Sequence, residues 1–130
     1  MNLQYFGDVN DYRKYGLLRA LGTSTDLALA VAWMLTPDDG GTDGKFRRYL
    51  QESGKWPHYD PPLFAHLAGA LTAERLPSVT MIEQSSLLPG ARFFTEPVPD
   101  DRWPRGRCSE RRFAFAAASD RVFLDPDNGF

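Results

Sequence analysis

Residues 27–35, LALAVAWML, form an apolar run without a polar interruption, and Thr36-Pro37 stops it abruptly. Its alanines would suit a helix. Its length, its apolar character and the sharp stop suit a strand covered on both faces, as in a parallel sheet. A parallel neighbour demands a crossover connection, usually a helix. The run therefore predicts an α/β fold.

The remaining segments supply the partners. Asp8 is placed to cap a helix carrying Val9, Tyr12, Tyr15, Leu18 and Leu21, with Gly22 as its stop. Helical stretches are expected over residues 45–53, 63–74 and 79–88, separated by Gly54, a stiff Trp56-Pro57 to Pro62 connector, and Pro77. Residues 92–98 and 121–124 read as two more strands. Between them lie a polar loop through Asp100, Asp101 and Pro104 and a helix over residues 109–118. Strands separated by helices give one Rossmann-like α/β domain over residues 1–130, with a mostly parallel sheet and right-handed crossovers. Three strands are few for such a sheet. The chain thus reads as an N-terminal portion of a larger domain, or as one that pairs with a second copy.

Composition removes several classes. Apolar residues make up 42% and charged residues 25%, a globular balance. Fifteen basic against seventeen acidic residues leave a net charge of −2, which gives no global attraction to nucleic acid or membrane. One cysteine, Cys108, excludes an internal disulfide framework. No apolar run approaches the ~20 residues of a membrane helix, and the N-terminus lacks a secretory pattern, so a cytoplasmic location is expected.

Chemistry concentrates in two loops that follow buried strands. The first, TPDDGGTDGK, holds Asp38, Asp39, Gly40, Gly41, Asp43 and Lys45. It is not a Walker A loop, because Asp39 stands at a required glycine and Phe46 follows the lysine. Its aspartates suit a divalent cation or ribose hydroxyls better than a phosphate. The competing reading is a solvated turn with Asp43 capping the next helix. The second loop, Asp125-Pro-Asp127-Asn128-Gly129, is also a strong type I turn sequence. If both strands are parallel, both loops open on one sheet edge, where ligands of open α/β sheets bind. The segment FGDVNDYRKYG would supply a lid or a stacking surface, or else Tyr12 and Tyr15 are core residues. Arg102, Arg105, Arg107, Arg111 and Arg112, beside Trp103, form a basic cluster that fits nucleic acid or a solvated helix face.

Three stretches, FGDVNDYRKYGLLR (residues 6–19), TPDDGGTDG (36–44) and FLDPDNG (123–129), resemble a family of uncharacterised bacterial and phage proteins. Members of that family continue well past the Asp-Pro-Asp-Asn-Gly element. More remotely, the layout is similar to ribosomal-RNA adenine-N6 methyltransferases. That resemblance implies S-adenosylmethionine on the loop Asp38, Asp39, Gly40, Gly41 and Asp43. On that mapping Asp125-Pro126 matches the start of the catalytic element, and Asp125, Asp127 and Asn128 are the expected catalytic residues. Asp127 replaces the second proline of the family's Asp-Pro-Pro-Tyr, and Asn128 replaces its aromatic. The expected function is a nucleotide-related, methyltransferase-like enzyme. One alternative is a Mg²⁺-dependent phosphoryl-transfer enzyme with Asp38, Asp43, Asp125 and Asp127 as ligands and Lys45 on the phosphate. Another is a non-catalytic binding module or half-domain.

Overall fold

A computed structural model of the chain describes residues 3–24, 26–37, 46–72, 78–99 and 102–126. The fold is α/β. Strand β1 (Leu29–Ala32) lies between β2 (Arg92–Phe94) and β3 (Arg121–Leu124) in one three-stranded sheet. Both pairings are parallel: Val31 faces Phe93 on one side and Phe123 on the other. The expected strand over 121–124 is found as such. Those over 27–35 and 92–98 have the right place and direction but shorter regular ladders. β2 stops at Phe94, ahead of Pro97, which has no N–H to donate. Isolated bonds continue the pairing beyond it, Trp33 N–H to Phe94 O at 3.1 Å and Val98 N–H to Leu35 O at 2.8 Å. β3 is an edge strand, whereas β1 is central.

All four β1 residues are buried, which explains the continuous apolar run. Alternation puts Leu29, Val31 and Trp33 in the main core with Tyr15, Leu18, Leu63 and Leu67. Ala30 and Ala32 face the other way, and their small side chains let helix α4 (Arg102–Ala116) pack on β1. Phe115 of α4 rests on Phe94 of β2, ring centroids 5.6 Å apart. α4 begins well before the expected residue 109. Pro104 falls in its first turn, where the missing N–H has no helical partner to lose.

Helix α1 (Val9–Thr23) starts as expected: the Asp8 carboxylate accepts the N–H groups of Asn10 at 2.8 Å and Asp11 at 3.0 Å. It runs through Gly22 to Thr23 and packs against α2 (Pro61–Thr72). The helix expected over 45–53 is only a 3-10 turn, Arg48–Gln51, cut short ahead of Gly54 and Pro57. The stretch 79–88 holds one helical turn, α3 (Thr80–Glu83). No helix among the described residues is long and apolar enough to cross a membrane.

The entry to α1 depends on Gly7, whose φ is +77°. Its N–H donates to Asp11 Oδ2 at 2.8 Å, and its carbonyl accepts the Tyr49 hydroxyl at 3.0 Å. A Cβ there would stand 2.5 Å from Leu71 Cδ1. That methyl ends a flexible side chain and can turn aside, so the backbone conformation carries most of the penalty. Gly7→Ala is expected to cost about 1–2 kcal/mol in urea unfolding, and Gly7→Asn less, since asparagine tolerates positive φ. Equal losses for both variants would show that side-chain crowding, not φ, sets the cost.

Candidate functional site

The strand order β2-β1-β3 places chain reversal at a defined point. From β1 the chain crosses to one side to form β2, then returns past β1 to form β3 on the other. In open α/β sheets such a reversal leaves a crevice beyond the carboxyl ends of the two strands concerned, and ligands bind there. Here those strands are β1 and β3. The segment after β1 leads into residues 38–45, and Asp125 follows β3 directly.

Asp125 is buried and fixed by its backbone, which extends the ladder through a 3.0 Å bond from its N–H to Ala32 O. Both of its carboxylate oxygens accept from Lys14 Nζ, each at 2.9 Å. The same ammonium meets Asp11 Oδ1 at 2.8 Å. Asp11, Lys14 and Tyr15 project from the first two turns of α1, just beyond the Asp8 cap, at spacings that share one helical face. The first turns of α1 are thereby tied to the carboxyl end of β3. The Tyr15 hydroxyl is fully buried beside this cluster without a hydrogen bond of normal geometry.

Burial raises the Asp125 carboxyl above its ordinary range, with the Lys14 charge and hydrogen bonds pulling the other way. Burial also raises Asp8, partly offset by its bond from the Asp11 N–H. For Lys14 burial opposes the charged form, but Asp11 and Asp125 outweigh it and the ammonium is held more firmly than usual. Tyr15 is pushed well upward by burial and then by Asp11 and Asp125, so its phenol stays protonated. Three buried carboxylates thus share one ammonium at the carboxyl end of β3.

Asp38, Asp39, Gly40, Gly41, Asp43 and Lys45, together with Asp127 and Asn128, lie outside the described residues. Of the expected site only Asp125 is placed, and it stands where the parallel sheet requires. Comparison with family models, curated proteins and solved structures finds no significant match. The geometry alone therefore carries the functional argument. The arginine cluster is spread around α4. Arg111 pairs with Glu96, Arg112 is buried against Cys108 and Phe94, Arg105 bonds Pro99 O, and Arg107 is exposed. Tyr12 and Tyr15 are core residues. Sequence reasoning missed Lys14 and Asp11. The available signal was charge at i and i+3, among Tyr12, Tyr15 and Leu18 of an otherwise apolar face.

Proposed function

We propose that the chain is a nucleotide-related enzyme of Rossmann-like, methyltransferase-like fold, whose ligand lies in the crevice between the carboxyl ends of β1 and β3. The switch point in the β2-β1-β3 order is the observation that supports this most, because it joins the segment after β1 to Asp125 on one edge. The chemistry of the crevice fits S-adenosylmethionine. The aspartates of the loop after β1 would suit a sulfonium cation and ribose hydroxyls better than a phosphate. The cofactor would supply a methyl group. The loop with Asp38, Asp39, Gly40, Gly41 and Asp43 would hold it. Asp125, oriented by Lys14, would position the acceptor together with Asp127 and Asn128.

The Mg²⁺ reading is weaker on one specific ground. Lys14 already takes both oxygens of Asp125, so the ammonium occupies the place of a cation there.

Thermal unfolding with added S-adenosylmethionine tests the proposal. At a hundred times the dissociation constant the ligand adds about 2.7 kcal/mol, which raises the melting temperature by roughly 10 °C for a domain this size. No shift at millimolar cofactor, with a shift in Mg²⁺ or Mn²⁺ instead, would transfer the site to metal chemistry.

A further inference from the structure

A groove of about 680 Å³ runs along α1 on the side lined by Tyr12, Arg13, Gly16, Arg19 and Thr23, and its other wall is the connector at residues 56–61. A smaller hollow of about 250 Å³ lies elsewhere, at the amino end of β1 around Leu27 and Leu29. From Arg13 to Thr23 the helix rises about 15 Å, room for roughly four stacked nucleotides at ~3.4 Å each.

The far wall is built to keep aromatic rings in place at the surface. The Tyr12 hydroxyl donates to Trp56 O at 2.9 Å and accepts the Asp60 N–H at 3.2 Å, which pins the connector to α1. Arg19 anchors its end through Asp60 at 2.6 Å. Tyr59 is nevertheless 67% exposed, with His58 lying 4.0 Å from its ring centroid. Trp56 is half-buried and flanked by two exposed cations, Arg13 at 5.8 Å and Lys55 at 5.4 Å from its ring. The nearby charges are Arg13, Arg19 and Lys55 against Asp60, which holds Arg19, and Glu52, which accepts the Trp56 indole N–H at 3.1 Å. Arg13 and Lys55 therefore place two exposed cationic groups beside the Trp56 ring.

An exposed ring beside a half-buried one with flanking cations recognises a ligand that offers flat faces and negative charge together. We infer that this groove binds single-stranded nucleic acid, with bases stacked on Trp56 and Tyr59 and phosphates held by Arg13 and Lys55. A duplex keeps its base faces covered, and an acidic peptide has none. The inference names a substrate class for the proposed enzyme and rests on that reading for its purpose. Binding itself requires only the groove. Arg13 precedes Lys14 in the chain, so a strand in the groove reaches the turn of α1 that carries the Asp125 contact.

The test uses the whole chain with a labelled oligothymidine of about twelve nucleotides, and an oligoriboadenosine beside it, followed by fluorescence anisotropy from about 50 to 200 mM salt. The wild type should bind with an affinity that falls as salt rises. Arg13→Gln and Lys55→Gln should each lower the log–log salt slope by about 0.7. Tyr59→Ala, at an exposed position that leaves the core alone, should weaken binding at least about fivefold at an unchanged melting temperature. Duplex and polyglutamate should compete poorly. Absence of salt-dependent binding, wild-type affinity in both Tyr59→Ala and Arg13→Gln, or equal competition by polyglutamate overturns the inference. Titration with and without S-adenosylmethionine separates the two proposals: the groove needs no cofactor, so the wild type should bind the oligonucleotide in either case. Oligonucleotide binding without any cofactor shift leaves the groove standing and removes the cofactor reading.

Discussion

Trp33→Ala should cost about 4 kcal/mol, among the largest single losses available to this chain. Trp33 is fully buried directly after β1. Its ring stacks on Phe93 with centroids 5.9 Å apart and planes 10° from parallel, and Tyr15 meets it edge-on at 6.0 Å. Its indole N–H donates to Glu83 Oε1 at 2.8 Å. Truncation therefore opens a cavity between the sheet and α1 and also strips Glu83 of its donor. Domains are stable by about 5–15 kcal/mol, so the variant should lose a large share of that margin. Trp33→Phe keeps the stack and loses the bond, and should cost about 1–2 kcal/mol. Urea unfolding of both variants measures the difference. A loss below about 1 kcal/mol in Trp33→Ala would mean that the β1 tail is not a core element.

What the sequence made legible follows from how local each determinant is. β1 could be read because a strand covered on both faces has to be apolar at every position, and residues 29–32 are. Asp8 could be read because a cap acts over three residues. The edge that carries Asp125 followed from parallelism alone. The failures are of two kinds. Pro104 and Gly106 look like loop residues, so the sequence places the start of α4 at 109, seven residues after its true start at Arg102. Proline in a first turn is nearly free, and tertiary packing on Ala30 and Ala32 carries the glycine. The 3-10 turn at Arg48–Gln51 looks like a longer helix in sequence, because nothing local marks a segment too short to propagate. The second kind is long-range. Lys14 and Asp125 are 111 residues apart, and only the sheet topology brings them together. The groove likewise exists because Tyr12 pins residues 56–60, a contact no periodicity announces.

That long-range pair gives the other large expected effect. Lys14→Met should lower stability by about 3 kcal/mol at neutral pH, because it leaves two buried carboxylates facing each other without their cation. The Lys14 side chain is 20% exposed and that of Asp125 only 7%, so water screens the loss poorly. The effect should depend on pH in a defined direction. Burial already raises the Asp125 carboxyl, and Lys14 is what opposes the rise. Without Lys14 its folded pKa climbs further above the unfolded value near 3.9. The native state of the variant then binds the proton more tightly than the unfolded state, so its stability falls as pH rises between those two values. The penalty is therefore full at neutral pH and fades as pH drops toward about 4. On the alkaline side Lys14 itself has a raised pKa, so its contribution in the wild type is complete below its unfolded value and is lost as pH climbs through the folded one. The gap between wild type and Lys14→Met should accordingly be widest from neutral to about pH 10 and narrow on both flanks. Adding Asp125→Asn to Lys14→Met removes one stranded charge and should return about 1–2 kcal/mol, a coupling that a double-mutant cycle reads directly. A Lys14→Met deficit that is flat from pH 4 to 10, with no recovery in the double variant, would mean that the cluster is solvated. Asp125 would then lose its standing as an oriented group at the switch point.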